Sequence, residues 1–360
     1  MSISLGKMYV DDTMRRELIQ TLESGRYVKG EQTRQFEKEF AQFCSTRYAI
    51  AVSSGTAAIT VALMAAGIKP GDEIIMPSHS FIATATPALF LGAKPVFAEV
   101  DEKNYTISME DVRRKKTAKT KAIIPVHLYG HPADMDPLRE FAEKEDLLLF
   151  EDACQAHGAA YKKKKIGSLA DAACFSFFPS KNMTVCGDGG MITTDDPILA
   201  EKAAMLRDHG RKGKYLHEQL GFNFRLSELH AALGRVQLCH VADWNEQRRR
   251  HAKTYDAHLG EIVKTPIEES WAHHVYHMYV IRLAQRDALA EHLKKKGIDT
   301  GVHYPIPIHR QPCITERLGE RALPLTEKIA NEVLSLPMHP QLTQEEIETV
   351  CHEVARFIKS

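Results

Sequence analysis

The chain has 360 residues, 44% of them hydrophobic and 26% charged, and 47 basic side chains balance 47 acidic ones. A chain of this length and apolar content can bury a large core, and its 21 glycines and 16 prolines exclude collagen-like and low-complexity classes. Zero formal net charge removes the long-range field that draws proteins to nucleic acid or anionic lipid, so neither partner is expected.

Short apolar runs alternate with longer amphipathic ones through the first half of the chain, a pattern typical of α/β proteins. The predicted strands lie within residues 71–81, 93–101, 121–130, 147–153 and 173–178. Several of them are apolar on both alternations, which favours central strands of a parallel or mostly parallel sheet with helices on both faces. Between them, Asp136 before Pro137 predicts the N-cap and first residue of a helix.

A long polar amphipathic helix is predicted after the α/β region, where we place a hinge. The predicted large α/β domain, which includes an N-terminal arm, covers residues 1–245, and the connecting helix covers 246–262. A small α+β domain is expected at 263–360, ending in a helix capped at Thr343. Within it, residues 304–307 (YPIP) are not helical, because each proline disfavours the α region for the residue before it.

The cysteines and the first residues of the sequence indicate the cellular compartment in which the protein is expected. Seven cysteines are present, an odd number without a CxxC pair, which favours reduced thiols over a disulfide framework. The first 18 residues contain no apolar run of signal-peptide length, and the apolar stretch at 57–68 is too short to cross a bilayer. We therefore expect a cytoplasmic protein without a membrane anchor.

Ser53–Thr56 (SSGT) lie between an apolar strand and a helical run, so they form a strand, a glycine turn and a helix start. Free amides at a helix N-terminus provide a phosphate site, although an ordinary serine or threonine N-cap is the alternative explanation. Neither GxGxxG nor GxxxxGK[ST] is present, which argues against a dinucleotide or P-loop site.

Two further segments carry candidate chemistry. Glu151 and Asp152 end a predicted buried strand, at the sheet edge where ligand crevices form, although a helix N-cap is the alternative. Lys181 lies in an apolar and hydroxyl-rich stretch before a GDGG turn, where desolvation would lower its pKa toward the nucleophilic amine. A phosphate site, a carboxylate and a desolvated lysine together are what pyridoxal 5′-phosphate requires.

The motifs VSSGTAAI, EDACQAHGA, FSFFPSKNMTVCGDGGM, GFNFRLSELHAAL and GVHYPIP occur in this order. With them the chain resembles, over nearly its whole length, the DegT/DnrJ/EryC1/StrS family of sugar aminotransferases. The resemblance implies the aspartate-aminotransferase fold (fold type I), with a large, mostly parallel-sheet α/β domain and a small C-terminal α+β domain. It also implies pyridoxal 5′-phosphate as cofactor.

The resemblance assigns roles around the cofactor ring. Lys181 would form the Schiff base with the cofactor and carry protons in the reaction. Asp152 would pair with the pyridinium nitrogen, and Gln155 would contact the ring hydroxyl. Phe81 would stack on the face of the ring.

The same resemblance also implies which residues bind the phosphate group of the cofactor. Gly55, Thr56, Ala57 and Ser176 would bind it within one chain. Asn223, in the GFNFR motif, would reach the phosphate of the neighbouring subunit, which implies a homodimer with shared active sites.

The implied reaction moves an amino group from glutamate or glutamine to the keto carbon of a nucleotide-linked keto-sugar. His303 and Tyr304 match a segment that contacts the sugar. Related dehydratases carry histidine at the position of Lys181, so the lysine favours transamination. A cyclitol aminotransferase and a cofactor-binding regulatory protein of the same family are the alternatives, and a cofactor-free scaffold would give no reason for this lysine.

Two other sets of residues are expected to be structural. His273, His274 and His277 lie on a strand-like segment without cysteine or acidic companions, so no metal site is expected. The basic runs at 162–165, 248–250 and 294–296 are expected to be solvated on turns and helix surfaces.

Overall fold

The computed structural model describes residues 2–359, so that Met1 and Ser360, the outer limits of the predicted domains, lie outside it. The described helices are α1 (Asp12–Glu23), α2 (Glu31–Cys44), α3 (Gly55–Ala65), α4 (Thr86–Phe90), α5 (Met109–Lys115), α6 (Met135–Lys144), α7 (Pro197–Leu206), α8 (Glu228–Leu259), α9 (Arg286–Lys295), α10 (Pro312–Leu318), α11 (Pro324–Glu332) and α12 (Gln344–Lys359). The described strands are β1 (Tyr48–Val52), β2 (Glu73–Pro77), β3 (Lys94–Ala98), β4 (Thr120–Ile123), β5 (Leu148–Asp152), β6 (Ala160–Tyr161), β7 (Lys164–Lys165), β8 (Ala172–Ser176), β9 (Gly190–Thr194), β10 (Arg211–Lys212), β11 (Leu216–His217), β12 (Ala272–His273), β13 (Tyr279–Arg282) and β14 (Val333–Leu336).

A seven-stranded sheet in the order β1-β9-β8-β5-β4-β2-β3 forms the centre of the molecule. Strands β2, β3, β4, β5 and β8 pair in parallel, and all five were predicted from their apolar runs. Strand β9 is antiparallel to both of its neighbours, which makes the sheet mostly parallel. The predicted α/β fold class is confirmed.

Each face of the sheet is buried against its own layer of helices. Along β5, Leu149 packs into a cluster with Phe40 of α2 and Leu138 of α6, whereas Phe150 belongs to the opposite cluster with Leu63 of α3. Successive side chains of a strand point to opposite faces, so a strand that is covered on both sides must be apolar throughout. This explains why the runs showed no alternation.

Helix α8 runs without interruption through residues 240–245, where the hinge and the end of the large domain were predicted, and it begins well before the predicted connecting helix at 246–262. Its Ala231 lies in the core beside the sheet, whereas its Tyr255 lies in a separate core built on β13, β14, α9 and α12. Ile3, at the start of the chain, also packs in this second core and bridges to Ile298. The limits of the domains stay a prediction.

Two helix starts were predicted from capping residues. At α12, the Thr343 hydroxyl accepts from the Glu346 amide at 3.2 Å, and the Thr343 amide donates to the Glu346 carboxylate at 2.8 Å, which confirms the cap. At α6 the prediction is wrong, because the helix begins at Met135 with Asp134 as its N-cap. The Asp136 carboxylate is instead bound to the Lys162 amine at 2.6 Å.

None of the helices within residues 2–359 combines the length and the apolar composition that a membrane span requires.

The contact between α2 and α8 yields a stability prediction. A Cβ atom on Gly234 of α8 would lie 2.6 Å from the ring of Phe36, which is fully buried. Alanine normally stabilises a helix by about 1 kcal/mol relative to glycine, but overpacking a core costs about 1–3 kcal/mol. We therefore expect Gly234→Ala to lower the free energy of unfolding in urea.

Exposed Ala242 on the same helix provides the calibration, since Ala242→Gly should cost about 1 kcal/mol from helix propensity alone. A stabilised Gly234→Ala variant would show that the two helices do not approach this closely.

Candidate active site

A crevice of about 470 Å³ opens at the carboxyl ends of the parallel strands, where open α/β sheets bind ligands. Asp152 ends β5 and Ser176 ends β8, and both line the crevice. Gly55, the first residue of α3, lines it from the side. Tyr304, from the C-terminal part of the chain, lines the opposite wall, so the crevice lies between the sheet and the C-terminal part of the chain.

The structure brings most of the predicted site residues to this one crevice. Those that line it are Gly55, Thr56, Phe81, Asp152, Gln155, Ser176, Lys181, His303 and Tyr304. Ala57 and Asn223 do not line it. The Ala57 side chain is buried and its amide donates to the Ser54 hydroxyl at 3.1 Å, so this amide is already used. Asn223 is exposed, in a bridge with Asp208.

The start of α3 combines an N-cap with free amides. Ser54 is the N-cap, and the first intrahelical bond runs from the Ala58 amide to the Ser54 carbonyl at 3.0 Å. The amides of Gly55 and Thr56 therefore precede the hydrogen-bonded helix, as the first amides of any helix do. A Cβ atom on Gly55 would lie 2.8 Å from Cβ of Ser176, so only glycine lets the two segments approach. The arrangement suits an anion such as a phosphate.

The adjacent carboxylates at the end of β5 have different partners. Asp152 is almost fully buried, and its Oδ2 accepts from the Thr84 hydroxyl at 2.7 Å while its Oδ1 accepts from the Cys154 amide at 3.2 Å. Glu151 faces the core and accepts from the amide of Gly167 at 3.1 Å. No helix follows them between 153 and 159, so the alternative explanation as a helix N-cap is wrong. Of these two neighbouring carboxylates, only that of Asp152 lines the crevice.

Lys181 lies on the loop that follows β8 and extends its amine into the crevice. Burial lowers the pKa of Lys181, and the neighbouring Cys154 and Asp152 oppose this shift. Within residues 2–359, no acceptor lies at hydrogen-bond distance from its Nζ. A lysine with a lowered pKa and an uncommitted amine is a nucleophile for carbonyl compounds.

Gln155 joins the crevice to the C-terminal part of the chain. Its Nε2 donates to the Tyr304 hydroxyl at 3.0 Å, and its Oε1 accepts from the Tyr129 amide at 2.7 Å. The Tyr129 hydroxyl donates in turn to the carbonyl of His303. Half-exposed Phe81 faces Tyr304, with 5.7 Å between the ring centroids.

The sequence reasoning missed Thr84, Tyr129 and His157. Thr84 follows β2, so its place beyond the carboxyl end of a predicted parallel strand was an available signal. His157 is fully buried between Phe175 and Phe177, with centroid distances of 5.4 and 5.8 Å. Burial and then the positive charge of Lys181 lower the pKa of His157 to about 3.

Residues 2–359 contain no group of three or more His, Cys, Asp or Glu side chains that could hold a metal. His274 stacks on Tyr276, and His277 Nδ1 bonds to the Asn182 oxygen at 3.0 Å. In the basic run at 248–250, the expectation of solvated side chains is wrong for Arg248, which is only 5% exposed because α8 turns it toward the second core.

Comparison with known proteins identifies the family. Residues 9–355 match the DegT/DnrJ/EryC1/StrS aminotransferase family. The chain is 44% identical over 350 residues to a pleiotropic regulatory protein of Geobacillus stearothermophilus, covering 96% of this chain and 94% of the relative. It is also 44% identical to the dTDP-3-amino-3,4,6-trideoxy-alpha-D-glucose transaminase of Streptomyces venezuelae, covering 90% and 86%. The crystal structure of S. venezuelae DesV superposes with a TM-score of 0.94 at 41% identity, covering 96% and 94%.

The chain belongs to the DegT/DnrJ/EryC1/StrS aminotransferase family, which confirms the resemblance seen in its motifs. It is a pyridoxal 5′-phosphate-dependent aminotransferase. The crevice fits this cofactor. The amides at the start of α3 suit its phosphate, buried Asp152 suits a protonated ring nitrogen, and the free amine of Lys181 suits its aldehyde.

The hydrogen bond from Thr84 to Asp152 gives a prediction for activity. Thr84→Val keeps the shape but removes one of the two donors to this carboxylate. We expect amine transfer from an amino-acid donor to the bound cofactor, followed by absorbance, to slow about tenfold, since a hydrogen bond to a charged group contributes about 1.5 kcal/mol or more. Thr60→Val is the matched control, because that hydroxyl donates only to the Thr56 carbonyl, at 2.8 Å. Equal rates for both variants would contradict the role of Thr84.

Burial of His157 gives a prediction for stability against pH. Its folded-state pKa of about 3 lies below the ordinary value of 6.5, so only the unfolded chain gains its proton between these values. The contribution to stability is therefore complete above pH 6.5 and is lost as the pH falls toward 3. His157→Gln should make the fall in unfolding free energy shallower by up to about 1.4 kcal/mol per pH unit between pH 6 and 4.

Equilibrium unfolding in urea at several pH values measures this slope. His352→Gln, at an exposed position, serves as the control and should leave the slope unchanged. Parallel pH profiles of the wild type and His157→Gln would contradict the buried, neutral state of His157.

Proposed function

We propose that the protein transfers an amino group from glutamate or glutamine to the keto carbon of a nucleotide-linked keto-sugar in amino-sugar biosynthesis. The observation that carries the proposal is the convergence of Lys181, Asp152 and the free amides of α3 on one crevice. The dTDP-sugar transaminase from S. venezuelae, at 44% identity, supports a nucleotide-linked sugar as the acceptor.

Pyridoxal 5′-phosphate, when bound, supplies an electron sink and carries the amine between the two substrates. Asp152 would hold a proton on the ring nitrogen, and Thr84 would fix the orientation of the carboxylate. Gly55, Thr56 and Ser176 would bind the phosphate. Phe81 would cover one face of the ring, and Gln155 would contact the ring hydroxyl.

Lys181 would bind the cofactor and later act as a base through the same Nζ atom. Because burial lowers its pKa, the amine is more readily neutral and can accept a proton from the carbon that bears the donor nitrogen. The same atom can then deliver a proton to the sugar carbon. His303 and Tyr304, at the C-terminal wall of the crevice, would contact the sugar.

A regulatory protein that binds the cofactor is the second candidate, because the Geobacillus relative with 44% identity is named a pleiotropic regulatory protein. The intact set of Lys181, Asp152 and Gln155 in the crevice favours the enzyme. The same reaction with a keto-cyclitol as the acceptor, in place of a keto-sugar, is a further alternative.

The proposed enzyme is a homodimer in which Asn223 of one chain reaches the phosphate in the other. Asn223 is exposed and does not line the crevice of its own chain. Apolar side chains nearby are also exposed, with Tyr215, Leu216 and Leu220 exposed by 80%, 61% and 90%. A cluster of large exposed apolar side chains is typical of a surface that another protein chain covers, which supports a subunit interface here.

A panel of amino donors and keto-sugars tests the function. The purified holoenzyme is mixed with L-glutamate, L-glutamine or other amino acids, and conversion of the cofactor is followed by absorbance. Nucleotide-linked keto-sugars and keto-cyclitols are then added, and the aminated product is identified by mass spectrometry. Turnover of a nucleotide-linked keto-sugar supports the proposal. Turnover of cyclitols alone, or of no acceptor, contradicts it.

Two substitutions test how much Lys181 and Asp152 contribute to turnover. Lys181→Ala should abolish turnover, since it removes both the attachment point and a base that contributes about 10²–10⁴-fold. Asp152→Asn keeps the shape and removes the charge, so transfer from the donor should slow by about 10² or more. Lys294→Ala, at an exposed position of α9, is the control. Circular dichroism verifies folding, and near-normal turnover of either site variant would overturn its assignment.

A subunit-mixing experiment tests the shared site. Lys181→Ala and Asn223→Asp chains, each inactive, are refolded together. If Asn223 acts across the interface, both substitutions in a mixed dimer affect the same active site, and the other active site is intact. With random assortment half of the dimers are mixed, so roughly a quarter of all sites should be active. If mixed dimers are confirmed by mass and no activity returns, Asn223 does not act in trans.

A further inference from the structure

A second cavity adjoins the first at Lys181, which lines both. It has a volume of about 420 Å³, within the range of roughly 300–1,000 Å³ that small-ligand sites occupy. The residues that line both cavities are Phe178, Ser180, Lys181, Met278 and His303. A molecule in the second cavity would therefore have access to the amine around which the first is built.

Arg248 of α8 lines this cavity as a buried cation without an anionic partner. Its Nη1 donates to three carbonyls, those of Tyr276 and His277 at 3.2 Å each and that of Met338 at 2.8 Å. Within residues 2–359, no carboxylate lies at ion-pair distance from Arg248, and no acceptor contacts its Nε or Nη2. Burial lowers the pKa of Arg248 to about 10, which still leaves it charged at neutral pH.

The other groups around the cavity do not neutralise this charge. Lys7 also lines it, and no aspartate or glutamate of the described chain does. Asn182 donates through Nδ2 to the Asn245 oxygen at 2.8 Å, so its own oxygen must accept from Nδ1 of His277. Burial together with Lys181 and Arg248 lowers the pKa of His277 well below its usual range, which keeps this ring neutral. The cavity is thus positively charged.

A buried charge is costly unless it is paired, and Nη2 of Arg248 has no partner among the described residues with which to donate a charge-assisted hydrogen bond, whereas Nε is itself buried. We propose that this cavity binds a carboxylate of the amino-acid donor, with Arg248 as the residue that fixes it beside Lys181. The inference rests on the proposed function, since a donor amino acid brings both the amine and the carboxylate.

Binding of an unreactive dicarboxylate tests the site without any turnover. Glutarate has two carboxylates and no amine, and glutaramide is its neutral diamide. Calorimetry on the cofactor-loaded wild-type protein should show glutarate binding about 10- to 100-fold more tightly than glutaramide, which is the range that charge-assisted hydrogen bonds provide. Equal affinities would overturn the proposal.

Substitutions then show which residue causes the tighter binding of glutarate than of glutaramide. Arg248→Met should abolish the preference for glutarate over glutaramide. Arg250→Met, which removes an exposed charge from the same helix, should retain this preference. Arg248→Lys keeps the charge but replaces the guanidinium with a shorter ammonium group, so it should retain part of the preference for glutarate and serves as the second variant if Arg248→Met does not fold. A folded Arg248→Met variant with wild-type affinity for glutarate would overturn the proposal.

The kinetic consequence distinguishes this proposal from the proposed function. Arg248→Lys should raise KM for L-glutamate about tenfold or more in the transfer to the cofactor, while KM for the keto-sugar stays within about twofold. If no keto-sugar is aminated but glutarate binding depends on Arg248, the proposed function fails and the carboxylate site stands. If keto-sugars are aminated and Arg248→Lys leaves KM for L-glutamate unchanged, only the carboxylate site fails.

Discussion

The alternation of side chains at the end of β5 determines how the site is held. Glu151 and Asp152 are neighbours on a strand and so point to opposite faces of the sheet. Glu151 accepts from the amides of Gly167 and Leu169 and from His127, and it thereby fixes a buried loop to the strand. Asp152 is then presented to the crevice from the same rigid backbone. The carboxylate of the site cannot shift without disturbing bonds in the core.

The crevice depends on groups that are distant in the sequence. Thr84 holds Asp152 from beyond β2, and Gln155 connects the backbone of Tyr129 to the hydroxyl of Tyr304. Tyr129 also binds the carbonyl of His303. These bonds join the edge of the sheet to the segment that contributes the C-terminal wall. Both parts of the chain are therefore needed to form one binding site.

Local patterns predicted the features that depend on neighbours in the sequence. The central strands followed from runs that are apolar on both alternations, and the cap at Thr343 followed from a glutamate three residues later. The burial of Arg248 could not be predicted, because its three acceptors lie 28 to 90 residues away. The same holds for Thr84, whose partner Asp152 is 68 residues distant. The capping prediction at Asp136 failed because α6 begins at Met135, one residue before it, which places Asp136 inside the first turn, where its carboxylate pairs with Lys162.

Helix α8 has 32 residues and so extends roughly 48 Å as one rod from the central sheet to the second core. A rod without a break cannot bend sharply at its middle, and the packing of Ala231 at one end and Tyr255 at the other transmits any tilt along its length. Large swinging of the C-terminal part is therefore mechanically disfavoured. A tilt of α8 at the central sheet is thus coupled to a displacement of the second core.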